Sequence, residues 1–373
     1  MNILVTGAEG FIGKNLVSHL SLMEGMAIST ISRGDSKDIL KKRVLEADFI
    51  YHLAGVNRPE NDDEFEKINF DLTASVIDIL RVAKKKTPLL ITSSTQAERN
   101  NLYGKSKRAA EISAFDWYSE SGAPVYIYRL PGIFGKWCRP NYNSVVATFC
   151  YNIANGLPIE ISDSSYIVTL AYIDDVVDEF TALLAENNIE HSNIQYIHRT
   201  FDISLGDLSD RLYAIHAARS DLIIPDLSDI LYKFLYATYT SYLATDNFSY
   251  KLAKSQDERG YLTEFIKSHQ FGQVFISKTK PGIARGNHWH KTKIEKFFVI
   301  SGEAEITFRN KVNSQDVIRY KVSGEDMRVV DIPVGYVHAI KNIGDEDLIT
   351  IFWANEILDR NNPDTYYEEV EKP

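Results

Sequence analysis

The chain has 373 residues, 44% of them hydrophobic and 25% charged, a globular balance at a length that one hydrophobic core rarely serves. A net charge of −10 argues against nucleic acid as a partner, because phosphate binding needs a basic face, and no apolar run is long enough to span a membrane. Cys138 and Cys150 make no disulfide framework, and residues 1–7 enter a strand and a glycine turn with no leader-like segment, so a soluble cytoplasmic protein is expected.

Short apolar runs at residues 2–6, 27–32, 49–53, 88–92 and 125–129 predict strands, with helices between them, for example over 13–21 and 69–84. Strand–helix alternation predicts a parallel sheet covered on both faces. The first strand runs straight into Gly7-Ala-Glu-Gly10-Phe11-Ile12-Gly13. Glycines there let the backbone turn tightly, approach a pyrophosphate and pack the helix on the sheet, while the helix N-terminus offers free N–H groups. A dinucleotide site lined by Gly7, Gly10, Phe11, Ile12 and Gly13 is therefore expected. At the end of the second strand Arg33 follows Ser32, where an acidic residue would select NAD. A cation and a hydroxyl suit a 2′-phosphate, hence NADP(H). The alternative leaves Arg33 in solvent and gives the ribose to Asp35.

Ser93 and Ser94 follow the fourth strand, at the carboxyl edge where such sheets bind ligands. Tyr103 and Lys107 stand four residues apart, on one face of a predicted helix. A fixed ammonium is expected to lower the phenol pKa, making Tyr103 a proton donor to an alkoxide.

From about residue 256 the texture changes. Segments at 272–278, 296–300 and 305–309, punctuated by Gly, Pro, Asn and Asp, predict an all-β fold. Residues 223–247 read as helical and rich in Tyr, with the boundary within 244–254, so domains 1–245 and 246–373 are expected. His288 and His290 alternate on one strand face, Glu295 follows on the next strand, and His338 comes later. Three imidazoles and a carboxylate make a Zn²⁺, Fe²⁺ or Mn²⁺ ligand set, with zinc the first expectation. The alternative is a metal-free domain whose histidines serve the core or a substrate.

Residues 1–240 resemble the extended short-chain dehydrogenase/reductase superfamily, in the branch of nucleotide-sugar epimerases, dehydratases and reductases. Beside the glycine turn, the resemblance lies in His52-Leu53-Ala54-Gly55, Asn69, Arg129-Leu-Pro131-Gly-Ile-Phe-Gly135 and Tyr172-Ile-Asp-Asp175. It implies a Rossmann domain, a Ser94/Tyr103/Lys107 catalytic triad, and Leu53, Ala54, Gly55, Tyr103 and Lys107 along the cofactor. Thr92-Ser-Ser-Thr95 leaves Ser93 open as the serine. Family dehydratases carry an acidic pair after that serine; Thr95 and Gln96 stand here, which favours reduction. The loop Lys136-Trp-Cys-Arg139-Pro-Asn141-Tyr-Asn143 lies where relatives hold the nucleotide sugar, which implies Arg139 on the diphosphate and Asn143 on the sugar, unless the loop is simply solvated.

Gly282-x5-His288-Trp-His290-x4-Glu295-x6-Gly302 and Pro333-Val-Gly335-Tyr-Val-His338-x3-Asn342 resemble the two cupin motifs, with Met327 where the second normally opens on glycine. The run from Ser255 to Glu264, with Arg285-Gly286-Asn-His288, is similar to the 4-keto-deoxysugar epimerase branch of cupins. That implies Arg259 and Arg285 at the substrate and leaves His288 open between catalytic base and metal ligand. The fusion resembles the bifunctional CapF-type capsular polysaccharide enzymes, most closely from Gly135 to Asn152 and in Asn355-Glu-Ile. The resemblance implies a 4-keto UDP-2-acetamido-2,6-dideoxy-hexose, C3 epimerisation by the cupin, and C4 reduction by NADPH to UDP-2-acetamido-2,6-dideoxy-L-talose, on the way to N-acetyl-L-fucosamine. It also implies a homodimer through the cupin. The competing expectations are an epimerase or dehydratase with tightly held NAD, a cupin serving only binding and dimerisation, and a redox-sensing regulator, which the intact Ser/Tyr/Lys set disfavours.

Overall fold

The structure, a computed structural model, describes residues 1–185, 193–312 and 316–371. The chain divides into two compact units, Met1–Leu212 with Phe234–Ala244, and Tyr213–Lys233 with Thr245–Pro373.

In the first unit the alternation expected from the sequence is present: β1 (Asn2–Thr6), α1 (Phe11–Leu20), β2 (Ala27–Ile31), α2 (Lys37–Glu46), β3 (Phe49–His52), α3 (Leu72–Val82), β4 (Leu89–Ser94), α4 (Leu102–Ser121) and β5 (Val125–Leu130). Then come β6 (Gly132–Phe134), α5 (Val145–Ala154), β7 (Ile167–Tyr172), α6 (Ile173–Ala182), β8 (Ile194–Gln195) and β9 (Phe201–Ser204). The main sheet has the order β2-β1-β3-β4-β5-β8 with every pairing parallel. Its strands are apolar runs because helices cover both faces. Leu4, Ile50, Leu89, Ile91 and Ile127 of the sheet pack with Val76, Ile77 and Leu80 of α3 and with Ala114 and Trp117 of α4. Strand order reverses between β1 and β3, which opens a crevice at the carboxyl ends of the strands.

Two local departures shape that crevice. β4 runs two residues past its expected end, so Ser93 and Ser94 are its last residues. A wide π-type turn, Phe65–Asp71, leads into α3 and carries Asn69; such turns gather at functional sites. α4 begins under an Asn101 cap, its side chain accepting from Gly104 N at 2.7 Å, and stops at Gly122, whose φ of 66° is left-handed.

From Ser255 onward the second unit is all-β, as the sequence predicts. It holds β10 (Ser255–Asp257), β11 (Gly260–Ser268), β12 (Gly272–Thr279), β13 (Ala284–Trp289), β14 (Glu295–Ser301), β15 (Glu303–Asn310), β16 (Val317–Ser323), β17 (Val329–Ile332), β18 (Tyr336–Asn342), β19 (Leu348–Ala354) and β20 (Tyr366–Tyr367). They form two antiparallel sheets, β10-β11-β12-β19-β14-β17 and β16-β15-β18-β13-β20. Phe297, Val299, Ile332 and Phe352 of the first share one core with Ala304, Ile306, Phe308 and Ile340 of the second. Residues 213–233 join this unit through Leu222 and Ile224, whose backbones pair with Lys267 of β11 at 2.8 Å. Helix within 223–247 is confined to Ile230–Thr240 and a short turn at Thr245–Asn247. The preceding Ile224-Pro225-Asp226 is extended because proline removes a donor and disfavours helix before it. Among the described residues no helix is long and apolar enough to cross a membrane.

Candidate active site and candidate metal centre

A cavity of about 580 Å³ lies at the carboxyl ends of β1, β3, β4 and β5. Gly7, Gly10, Phe11, Ile12 and Gly13 line it, with Leu53, Gly55, Ser93, Ser94, Tyr103, Lys107, Arg139 and Asn143. The glycines are required by packing. Gly7 has φ 71°, and a Cβ there would sit 2.7 Å from Ala54 N; a Cβ on Gly13 would sit 2.2 Å from Gly7 O. Ala54 itself stands behind the lining, donating its N–H to Thr6 Oγ1 at 3.2 Å. His52, buried between Thr6 Oγ1 (2.8 Å) and Thr73 Oγ1 (2.9 Å), joins the ends of β1 and β3 to α3. Burial, helped by Lys107, pushes its pKa down to about 3, so it is a neutral strut.

Arg33 is exposed and is not part of the lining. Asp35 is occupied: its Oδ2 accepts from Ser32 N at 2.9 Å and pairs with Arg43 at 3.1 Å. Ser32 donates its hydroxyl to Glu9 Oε1 at 3.0 Å, and Glu9 does line the cavity.

The two serines at the end of β4 have different partners. Ser93 Oγ donates to Glu111, a buried carboxylate held by Arg129 through Nε (2.9 Å) and Nη2 (2.8 Å). Ser94 Oγ accepts from Gln96 N at 3.1 Å, and its hydroxyl favours the ionised form of Tyr103. Tyr103 packs its ring on Phe65 of the π-type turn, centroids 5.9 Å apart. Lys107 is buried and donates from Nζ to Thr92 O at 2.9 Å. Asn69 secures the neighbouring loop, bonding Val56 N (2.8 Å), Val56 O (2.9 Å) and Ser106 Oγ (3.0 Å).

The electrostatics correct one expectation. Burial pushes the Tyr103 phenol up, with the influence of Ser94 only partly offsetting it. Lys107 does not lower it, because its ammonium turns onto the Thr92 carbonyl. Burial pushes Lys107 itself down to about 8, against the pull of Glu111. A protonated phenol beside a serine hydroxyl is the form that donates a proton.

The loop between β6 and α5 closes one side of the cavity. Trp137 and Asn141 both take left-handed backbones, with φ 69° and 54°. Such strain, paid in a loop that lines a cavity, is common at functional sites. The Arg139 guanidinium stacks 5.1 Å from the Tyr142 ring, whose hydroxyl donates to Arg58 O at 3.2 Å. Trp137, Tyr142, Lys14 and Asn57 also line the cavity. Sequence reasoning missed them; Trp137 and Tyr142 lie inside the loop it had singled out, but no spacing rule marks their direction.

In the second unit His288, His290, Glu295 and His338 converge, their ligand atoms all within 4.8 Å of one another. β13 and β18 place His288 opposite His338, and a bulge at Asn287 (φ 57°) sets the register. His290 Nδ1 meets Asp364 O, and His338 Nδ1 lies 3.2 Å from Tyr336 O. A carbonyl only accepts, so each Nδ1 carries the hydrogen and each Nε2 presents a lone pair. Among the described residues neither buried Nε2 atom has a hydrogen-bond partner, yet each lies 3.3 Å from Glu295 Oε2. Acceptors facing acceptors in a buried site need a cation between them, and the donor set fits a divalent metal. Burial first, and His338 next, hold His288 down at about 4, hence neutral as a ligand must be. Met327, in glycine's usual place, has φ 46°: the turn keeps its left-handed backbone without glycine.

Arg259 and Arg285 are not part of this cluster. Arg259 is exposed and paired with Asp257, Nε to Oδ2 2.9 Å. Arg285 Nε donates to Thr279 Oγ1 at 2.9 Å, and its Nη2 is buried without a partner among the described residues. Burial and nearby Arg259 both lower its pKa, so two guanidinium groups share one region.

A family model described as NAD dependent epimerase/dehydratase family matches residues 3–197, and one described as Polysaccharide biosynthesis C-terminal domain matches 255–366. The UDP-2-acetamido-2,6-beta-L-arabino-hexul-4-ose reductase of Pseudomonas aeruginosa is 42% identical over 366 residues, 98% of each chain. The capsular polysaccharide assembling protein CapF from Staphylococcus aureus superposes with a TM-score of 0.92 at 47% identity, over 99% of this chain and 100% of that one. The chain belongs to the CapF-type branch of the NAD dependent epimerase/dehydratase family. A UDP-glucuronic acid 4-epimerase from Bacillus cereus, 18% identical with a TM-score of 0.56, covers 65% of this chain and 96% of its own and shares the fold alone. For a CapF-type chain, the glycine turn and the Ser/Tyr/Lys group lie within the segment matching the family, and the His/Glu cluster lies within the C-terminal match.

Proposed function

We propose that this chain is an NADPH-dependent reductase of a 4-keto UDP-sugar whose β unit epimerises the neighbouring carbon. The observation that carries the reading is one cavity joining a glycine turn to Ser94, Tyr103 and Lys107. The name of the P. aeruginosa relative supports a 2-acetamido-2,6-dideoxy hexos-4-ulose as substrate and reduction as the reaction. A nicotinamide dinucleotide supplies the hydride when bound. Gly7, Gly10 and Gly13 let the backbone approach its pyrophosphate, and Leu53, Ala54 and Gly55 flank it. Ser94 holds the ketone oxygen, and Tyr103 Oη delivers the proton that oxygen takes up. Lys107, its ammonium held by the Thr92 carbonyl, orients the cofactor ribose. Arg139 and Asn143 take the diphosphate and the sugar. Thr95 and Gln96 offer no acid–base pair for dehydration.

Arg33, exposed and unburdened at the end of β2, supports a 2′-phosphate and hence NADPH, while Asp35 is engaged by Arg43. A second reading of the cofactor, NADH, rests on Glu9, an acidic group in the lining beside Ser32. In the β unit, whose sequence motifs are those of a cupin, His288, His290, Glu295 and His338 hold a divalent metal, with zinc the leading choice. When bound, it supplies positive charge to the ketone oxygen and so acidifies the C3 hydrogen. With His288 among the ligands, another residue of the β unit is the base. Arg259 and Arg285 offer charge to the diphosphate. The product of both steps is UDP-2-acetamido-2,6-dideoxy-L-talose. The chain acts as a homodimer, Phe265 of β11 and Phe271 in the turn after it being exposed apolar groups that a second copy would cover.

The reductase is tested by NADPH consumption with the 4-keto UDP-sugar. Tyr103→Phe should reduce the rate by about 10²–10⁴-fold, the usual worth of a positioned acid, while dinucleotide affinity stays near wild type. Most of the rate surviving in that variant would remove Tyr103 from its role.

A further inference from the structure

The two ligand-bearing strands β13 and β14 are joined by the turn His290–Ile294, in which the amides of Lys291, Thr292 and Lys293 are held by the C-terminal segment and both backbone polar groups of Ile294 by Asn355. Asp364 Oδ2 accepts from Thr292 N (2.7 Å), Lys293 N (2.8 Å) and Lys291 N (3.1 Å), and its Oδ1 accepts from Lys291 N at 3.0 Å. Thr292 Oγ1 adds a bond at 3.1 Å. The same residue's backbone oxygen meets His290 Nδ1. On the far side of the turn Ile294 N donates to Asn355 Oδ1 (2.9 Å), and Asn355 N donates to Ile294 O (3.1 Å). The segment is itself anchored. β20 pairs with β13 at His288 and Trp289. Glu368 N donates to Asn287 O at 2.9 Å, and Val370 is buried. Arg309, itself almost wholly buried, bonds Val370 O (2.8 Å), Glu368 Oε1 (2.7 Å) and Glu369 O (2.8 Å).

We propose that Asp364 is a positioning residue for the metal centre, and that the C-terminal strap Asp364–Val370 is the outer shell that aims His290 and Glu295 at the cation. One residue fixes the His290 tautomer through its carbonyl and shapes the connecting turn through its carboxylate. The Asp364 carboxylate takes backbone N–H bonds from three successive residues of the turn at once. Anionic acceptors make the stronger bonds, so the charge itself holds the turn. Groups standing behind the ligands govern metal affinity on the scale of 10–100-fold.

The inference rests on the reading of His288, His290, Glu295 and His338 as metal ligands, and the two fail differently. Zn²⁺ affinity of the full-length chain is measured by competition against a chromogenic chelator, with Co²⁺ absorption as a second readout of ligand geometry. Wild type should bind one ion per chain; failure to bind any defeats the ligand reading. Asp364→Ala should still bind one ion, about 10–100-fold more weakly, with an altered Co²⁺ spectrum. Asp364→Asn keeps the shape but not the charge and should lose only about 3–10-fold, charge-assisted bonds being roughly twice as strong as neutral ones. A merely structural aspartate would lower the melting temperature of the metal-free chain and leave affinity and spectrum alone. Wild-type affinity in Asp364→Ala, or in Asp364→Asn if the alanine variant does not fold, overturns the proposal.

Discussion

Tyr103 and Lys107 were legible because helical spacing alone puts them on one face, but their pKa directions were not, since burial comes from the π-type turn and β4 rather than from the helix. The consequence is a specific pH dependence. Burial raises Tyr103, so the phenol keeps its proton across the neutral range. Lys107 sits at about 8, so its ammonium form is full below that pH and is lost as pH rises through it. Reductase kcat/KM for the sugar should therefore fall on the alkaline side with an apparent pKa near that of Lys107. A profile flat to about pH 10, the unperturbed range of both groups, would show either that the ammonium is not needed or that burial does not lower its pKa. Cofactor choice belongs to single residues as well. Arg33→Ala should erode a preference for NADPH by about 1–3 kcal/mol, the scale of a charge-assisted bond. Equal kcat/KM for NADH and NADPH in the unmodified enzyme would instead favour Glu9 as the ribose partner. The Ser93–Glu111–Arg129 group was invisible in the sequence because its members lie on β4, α4 and β5, with no spacing rule linking them. What separates Ser93 from Ser94 is which neighbour each hydroxyl meets, and that needs the packed sheet.

Elements were the most legible level in the first unit, where apolar runs bounded by glycine turns locate strands to within a residue or two. β4 overran its expected end because Ser93 and Ser94 continue the parallel pairing with Arg129 and Leu130 of β5. The helical reading of 223–247 was too broad, since Pro225 stops helix and the segment pairs with β11 instead. In the second unit, motif spacing named the turn at Met327 as a place for glycine, and the backbone agrees although the residue does not. A left-handed L-residue costs about 1–2 kcal/mol, and glycine gives back roughly half of that through its own chain entropy. Met327 is exposed, so little packing is lost on its removal. Met327→Gly should raise the stability of the β unit by about 0.5–1 kcal/mol, or roughly 2–4 °C in Tm. Calorimetry reads this directly; an unchanged or lower Tm would mean the methionine side chain makes contacts that outweigh the strain.

At the scale of the whole molecule, the two units were legible as a change of texture, from strand–helix alternation to short strands with turn residues. The outer shell proposed for the candidate metal centre was not legible, because Asp364 is 74 residues from His290 and carries no motif. The two candidate sites suit successive chemistry on one ketone: the hydrogen next to a carbonyl is acidic only while the carbonyl persists, so epimerisation must precede reduction. That order gives a physical reason for joining the two proposed activities in one chain. The most direct measurement is mass spectrometry of the 4-keto UDP-sugar after incubation with metal-loaded protein in D₂O, first without NADPH. Deuterium should enter at C3, His290→Ala should abolish that entry along with the bound metal, and NADPH added afterwards should yield reduced sugar that retains the label. Sugar recovered from the wild type with no deuterium at C3, but reduced normally once NADPH is present, would contradict the epimerase half and leave the β unit a binding module.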